Sequence, residues 1–186
     1  MLEGNRGEPV DADVDVGCSL LAAGNVEVLA LGRAGADEHG IEADEEPGRG
    51  QFAMLQQAGI EVRADTRSAL MHNKFFIFDG QTVWTGSTNI TENSVFKQDN
   101  NTIVIHSPAV AAIYEREFQE MWDGQFGPKS PSQLVEQSTN VNGTQIWVIF
   151  TSEDKALEQA IIPVVNFAQS SIRFLAFSFT DYPLAN

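Results

Sequence analysis

The stretch that most constrains the fold runs from Met71 to Asn89, MHNKFFIFDGQTVWTGSTN, where two β-prone runs are joined by Asp79-Gly80. Asp-Gly between aromatic and β-branched residues is a strong signal for a two-residue hairpin turn. His72 to Phe78 and Gln81 to Thr85 are therefore expected to be its strands. A two-residue turn pairs Phe78 with Gln81, and counting back sets Thr85 opposite Lys74 and Ser87 opposite His72. Side chains two apart share a face of a strand, so His72, Lys74, Ser87 and Asn89 are expected together on one side. Phe75 and Ile77 take the other side, and Phe76 and Phe78 continue the first. Both sides are then largely apolar, which predicts a hairpin buried within a sheet.

Buried polar groups need partners or a ligand. An imidazole, an ammonium, a hydroxyl and a carboxamide suit a phosphate, and no Cys, second His or carboxylate is spaced to complete a metal shell around them. Neither a metal nor another cofactor is expected. Lys74 disfavours the protonated form of His72 by like-charge repulsion, which keeps the imidazole available as a nucleophile. Either residue alone would be an ordinary strand residue; the constellation is what points to chemistry.

His72-x-Lys74, four residues, Asp79, six residues and Gly86-Ser87-x-Asn89 resembles the HxKx4Dx6GSxN signature of the phospholipase D superfamily, whose members include phospholipases, phosphatidyl transferases, cardiolipin hydrolases and metal-independent endonucleases. The resemblance implies a His72 that attacks phosphorus to give a phosphohistidine, or acts as the acid in the other half-reaction. Lys74, Ser87 and Asn89 would hold the phosphate oxygens. A second His, from another copy of the motif, would protonate the leaving alcohol. Asp79 matches the motif as well, although its place in the turn suggests a structural role at least as much as a catalytic one. Nuclease-type relatives often carry a Glu eleven residues after the motif Asn, where it orients the catalytic His. Asn100 stands there in this chain, with Asp99 just before it. An amide can orient an imidazole but stabilises its charged form less well, which bears on efficiency rather than reaction class.

The 186 residues allow one medium domain or somewhat more. No apolar run approaches the length of a membrane span, the start lacks the pattern of a signal peptide, and the single Cys18 fixes no redox compartment. Net charge is -15, and residues 1–50 carry 12 acidic and 3 basic side chains against 14 and 8 in the remainder. So negative a chain is a poor non-specific partner for nucleic acid, whose binding relies on Lys and Arg to release counterions. Charge thus favours a phospholipid over a nucleic acid as the phosphodiester.

Residues 1–17 read as a disordered acidic lead-in, Ser19 to Ala23 as the end of a helix, Val26 to Leu31 as a strand, and 32–50 as an acidic loop holding a solvated His39. Gln51 to Ala58 is predicted helical, Ile60 to Ala64 a strand and Thr102 to Ile105 another. Ser107-Pro108 is an N-cap followed by Pro at the first helical position. It opens a helix to about Asp123 whose Val110, Ile113, Tyr114, Phe118, Met121 and Trp122 form a core stripe. His106, before the cap, reads as structural. Residues 127–144 form a linker, with turn-forming composition from Gly124 to Gly143. Beyond it, Gln145 to Phe150 reads as a strand, Glu153 to Gln169 as a helix kinked by Pro163, and Ile172 to Phe179 as a strand ending in SFTD.

The resemblance covers residues 51–126 well and 145–181 fairly, and is weak before 50. It implies an α/β fold: a mixed central β-sheet flanked by helices, the phospholipase D-like α/β sandwich. Residues 18–126 would be the motif-bearing half and 145–186 the opening of a second. The chain therefore reads as a window on a two-motif phosphodiesterase. Its partners would be the phosphodiester and a second motif-bearing half, in the same chain or in a homodimer. By itself it is expected to be an inactive half-site. The rival expectation is a non-catalytic phosphate-binding or assembly module, which Asn100 and the single motif would suit.

Overall fold

The computed structural model describes residues 28–29, 52–63, 65, 67, 69, 71–133 and 137–185. The lead-in and His39 lie outside them. The described elements are β1 (Val28–Leu29), α1 (Phe52–Gln57), β2 (Val62–Arg63), β3 (Phe75–Phe78), β4 (Thr82–Gly86), α2 (Glu92–Phe96), β5 (Thr102–His106) and α3 (Pro108–Trp122). After a short 3-10 turn at Gly127–Lys129 come β6 (Ser138–Val141), β7 (Thr144–Trp147), α4 (Thr151–Asp154), a π-helical stretch Leu157–Ile161, α5 (Ile162–Phe167) and α6 (Tyr182–Ala185). The expected mixed α/β class is what the structure has. Among the described residues the strands group into a parallel pair β1-β2, an antiparallel sheet β3-β4-β5 and an antiparallel hairpin β6-β7.

The long helix begins as its sequence dictates. Ser107 is its N-cap, accepting a hydrogen bond from the Val110 amide at 3.3 Å, and Pro108 occupies the first turn. Its inner face, Val110, Ala111, Ile113, Tyr114, Glu117 and Met121, is buried. The upper part of that face meets Val83, Val148 and Phe150, with Phe75, Ile77 and Ile105 packed around them. Tyr114 joins the layers through edge-on contacts with Phe75 (5.0 Å between centroids) and Phe150 (5.5 Å). At the helix's far end Arg63 donates to the Trp122 carbonyl at 2.6 Å and lies over the Trp122 ring. This satisfies a terminal carbonyl and places a cation at the negative end of the helix dipole.

The hairpin differs from its predicted register. Phe78 pairs with Thr82, Ile77 with Val83 and Phe75 with Thr85, so the pairing has slipped by one residue. Asp79 and Gly80 do adopt positive φ (53° and 61°), and Gln81 donates its amide to the Phe78 carbonyl. Gln81 then stays out of the ladder, because its carbonyl accepts the Ser107 amide and ties the turn to the start of α3. A one-residue slip changes which residues share a face. Phe75, Ile77, Val83, Thr85 and Ile105 now face α3, whereas Phe76, Phe78, Trp84 and Val104 lie on the opposite side. That side is not buried: Phe76 and Phe78 remain exposed, packing on one another and, for Phe76, edge-on against Trp84.

Three further expectations are corrected after α3. The stretch read as a linker contains β6, joined to β7 by Asn142-Gly143 with positive φ at both residues (50° and 87°). This is the same kind of turn signal as Asp79-Gly80 and was present in the sequence. The helix expected over Glu153 to Gln169 is interrupted, with Lys155 in the left-handed region and a π-helical stretch ahead of Pro163. A wide turn is how a helix accommodates a proline that lacks a donor. Ile172 to Phe179 forms no strand, and Phe174, Leu175 and Phe177 are exposed. A strand exists only where another strand takes its backbone groups, and among the described residues none does.

Candidate functional site

The candidate site lies where the chain enters β3. Asp65 and Arg67 shape the approach. The Asp65 carboxylate is buried and grips the Arg67 guanidinium through both oxygens (2.7–3.0 Å), while Arg67 also donates to the Phe126 carbonyl at 2.8 Å. Burial opposes the Asp65 charge, but the hydrogen bonds and charge of Arg67 outweigh it and hold the carboxyl below its ordinary value. This closed pair fixes the segment ahead of His72 against the loop after α3.

His72 is exposed at a cavity of about 150 Å³ that it lines with Arg67, Met71, Asn73, Glu117, Phe126 and Phe150. Partial burial and the Lys74 ammonium both lower the His72 pKa, so the neutral imidazole predominates near pH 7. Lys74 folds back to donate to the His72 carbonyl at 2.7 Å, and burial lowers its own pKa. The structure therefore brings His72 and Lys74 together.

Ser87 and Asn89 are held otherwise. Gly86 has φ 156°, and a Cβ there would collide with the Asn101 carbonyl oxygen, so only glycine lets β4 run this close to the start of β5. Ser87 follows at once: its amide donates to the Asn101 carbonyl (3.0 Å) and its hydroxyl to Asn100 Oδ1 (2.8 Å) while accepting the Asn101 amide (3.1 Å). The Asn89 amide donates to Ser94 Oγ at 3.0 Å, and the Asn89 side chain is exposed. Among the described residues no hydrogen bond links Ser87 or Asn89 to His72 or Lys74. The single polar face predicted from the register is thus not formed by strand pairing.

Asn100 does not touch the imidazole in this structure. Its amide nitrogen donates to the carbonyl and hydroxyl of Ser94 in α2 (3.0 and 3.1 Å), and its oxygen takes the Ser87 hydroxyl. Asp99 is exposed. Asp79 lies at the hairpin tip, separated from His72 by the whole of β3, which is a turn residue's position rather than a place beside the imidazole. His106 bonds to Thr82 across the β4-β5 pair at 3.0 Å, in keeping with a structural reading.

Two residues of the site were not singled out from the sequence. Asn73, between His72 and Lys74, donates its amide to Glu117 Oε1 at 3.2 Å, and Glu117 is only 7% exposed. The signal existed: Glu117 falls on the helical spacing of Val110, Ile113, Tyr114 and Met121, where an apolar residue is expected. An acidic group in an apolar stripe needs a partner, and its partner is the motif's middle residue.

The cardiolipin synthase, PLD-like domain family matches residues 19–122, more than half the chain. Mitochondrial cardiolipin hydrolases are similar over shorter stretches: that of Chlamydomonas reinhardtii is 40% identical over 69 residues (37% of this chain, 31% of the relative), and that of Homo sapiens 33% identical over 78 (42% and 31%). The chain spans about a third of the length of these relatives. A crystal structure of a phospholipase D family member, Nuc from Salmonella typhimurium, is 32% identical with a TM-score of 0.38, covering 47% of this chain and 57% of that one. With the family match extending from residue 19 through the motif to the end of α3, the chain belongs to the phospholipase D superfamily, in the family of the cardiolipin synthase PLD-like domain.

Proposed function

We propose that this chain is the motif-bearing part of a metal-independent phosphodiesterase acting on a phospholipid. The observation that carries the reading is a neutral His72 at a cavity rim beside the Lys74 ammonium, within a family of phospholipase D type. In this reading a His72 ring nitrogen attacks phosphorus, forming an N–P bond as the P–O bond to the leaving alcohol breaks. A second imidazole gives that oxygen its proton. Water then attacks phosphorus, the N–P bond breaks, and the second imidazole recovers the proton. Lys74 balances the charge that builds on the phosphoryl oxygens. Ser87 and Asn89 donate to those same oxygens once Ser87 turns from Asn100, so Asn100 serves as the holder of Ser87 rather than as the orienter of His72.

The second imidazole comes from another motif, in a longer chain or a second copy; residues 18–126 form one half and 145–186 the opening of the next. A lipid substrate is favoured over nucleic acid by the net charge of -15 and by relatives named cardiolipin hydrolases. The test is turnover of cardiolipin vesicles and of single-stranded DNA by the protein assembled with its second motif. His72→Ala should remove at least ~10³-fold of the rate and Lys74→Ala nearly as much, with no loss on chelation. Full activity of His72→Ala, or loss on chelation restored by zinc, overturns the proposal. Phosphate binding without any turnover supports the non-catalytic module instead.

A further inference from the structure

We infer that Asn73 and Glu117 form a positioning pair that sets the His72-Asn73-Lys74 tripeptide against α3 and so fixes where the His72 imidazole stands. The inference deepens the phosphodiesterase reading and rests on it for its catalytic meaning, though not for its geometry.

Phe75 is locked to the helix by its edge-on contact with Tyr114 at 5.0 Å. Two residues back along the chain lies Asn73, and one turn onward along the helix lies Glu117. Two extended residues advance roughly 6.6 Å and three helical residues about 4.5 Å, and the side chains of Asn73 and Glu117 make up the difference. The Asn73 amide reaches Glu117 Oε1 at 3.2 Å. Phe75 and Asn73 thus fasten β3 and its approach to one face of α3 at two consecutive points. His72, the next residue back, is the first beyond the fastening. It lines the same cavity as Asn73 and Glu117.

Glu117 is suited to hold rather than to be held. It is 93% removed from solvent on a 15-residue helix whose neighbouring turns, Ile113, Tyr114 and Met121, are also buried. Burial, with Glu153, Glu120 and Asp154 around it, pushes its pKa up to about 8, so at neutral pH it is largely an uncharged acid. Its carbonyl oxygen accepts from Asn73 without placing a full negative charge beside His72, and the imidazole stays neutral. Glu120 has partners of its own in Ser130 and Gln133, and Asp154 in Ser132 and the Phe150 amide, while Glu117 keeps its proton toward Glu153 and offers Oε1 to Asn73.

The experiment follows the His72 ring by NMR titration of the 186-residue chain, with its signal assigned by comparison with His39→Gln and His106→Gln. Asn73→Ala and Glu117→Leu should each let the ring leave the cavity rim, raising its midpoint toward the ordinary value of about 6.5. Glu117→Gln keeps an acceptor for Asn73 and should leave the midpoint near that of the unaltered chain. If Asn73→Ala does not fold, Asn73→Ser, whose hydroxyl is too short to span to Glu117, carries the same reading. In the assembled enzyme Asn73→Ala should lower kcat by about 10²-fold with KM little changed, as displacement of a reacting group does. An unshifted His72 midpoint in Asn73→Ala and Glu117→Leu, whatever happens to melting temperature, overturns the inference by making the pair an ordinary core contact. Absence of turnover in the unaltered enzyme would instead sink the phosphodiesterase reading and leave the titration result standing.

Discussion

The sheet β3-β4-β5 and the segment Ile172 to Phe179 are both rich in aromatic and β-branched residues, yet one is ordered into strands and the other is not. Each strand of the first has a neighbour that takes its backbone groups, and one face lies against α3. The second has no neighbour among the described residues, and Leu175 and Phe177 are fully exposed. Strand propensity describes how well a side chain fits a half-buried pleated surface. Without that surface the same residues form no strand.

The largest expected difference between the two regions comes from Gly86. Gly86→Ala places a Cβ against the Asn101 carbonyl and imposes an unfavourable φ, so β4 or the start of β5 must move. Strain of this kind, with lost ladder hydrogen bonds, should destabilise the sheet by about 3 kcal/mol or more, read from urea unfolding monitored through the tryptophans. The substitution should also release Ser87 from Asn101. A loss below about 1 kcal/mol would show that the close approach of β4 and β5 is not needed.

How much of this was legible beforehand follows the same physics. The α3 helix was readable from Ser107-Pro108 and its stripe because caps and periodicity are local properties. The hairpin's existence was readable from Asp79-Gly80, but its register was not: Gln81 is drawn out of the ladder by the Ser107 amide, a contact 26 positions away in sequence. The slip moved the β4 residues to new faces but left Phe76 and Phe78 on the side expected for them; their exposure was missed because nothing local tells that α3 covers one face of the sheet only. In the candidate site, His72 and Lys74 were readable because a separation of two positions brings them together, even though both stand ahead of β3 and the expected strand from His72 is shorter. The partners of Asn100 were not, since they depend on where α2 sits. Nor was Asn73 paired in advance with a residue on α3. The Asn142-Gly143 hairpin, by contrast, carried a local signal that the surrounding Gly, Ser and Pro composition outweighed.

A smaller effect is expected where α3, which covers the sheet, meets α4. Glu117 belongs to α3 and Glu153 to α4, and burial raises the pKa of both while each also bears on the other. A carboxyl whose folded pKa of about 8 exceeds its unfolded value binds more protons when folded, so its contribution to stability is full below the unfolded pKa and is lost as pH rises through about 8. The chain should therefore weaken between pH 5 and pH 8.5. Glu117→Gln cannot ionise and should remove most of that slope. It should melt within a few degrees of the unaltered chain at pH 5 and roughly 5 °C or more above it at pH 8.5. Parallel melting curves across the whole range would mean that Glu117 is solvated at the joint, and that α3 and α4 are less tightly packed there than the buried side chain implies.

The smallest expected effect on stability lies in the unpaired segment. Leu175 and Phe177 are as exposed as they would be in an unfolded chain, so replacing them removes no burial from the folded state. Leu175→Ser with Phe177→Ser should change unfolding free energy by no more than about 0.5 kcal/mol, the usual range for surface substitutions. Their effect should appear in association instead. Exposed apolar side chains on an extended segment with free backbone groups invite pairing with another chain, and sedimentation at rising concentration should show less self-association for the double variant. Val83→Ala is the matching control in the ordered region: fully buried in the middle strand, it should cost roughly 1–3 kcal/mol by leaving a cavity. A double serine variant as damaging as Val83→Ala would mean that Ile172 to Phe179 packs against the remainder of the chain in solution, and the contrast between the two regions would then be one of partner rather than of order.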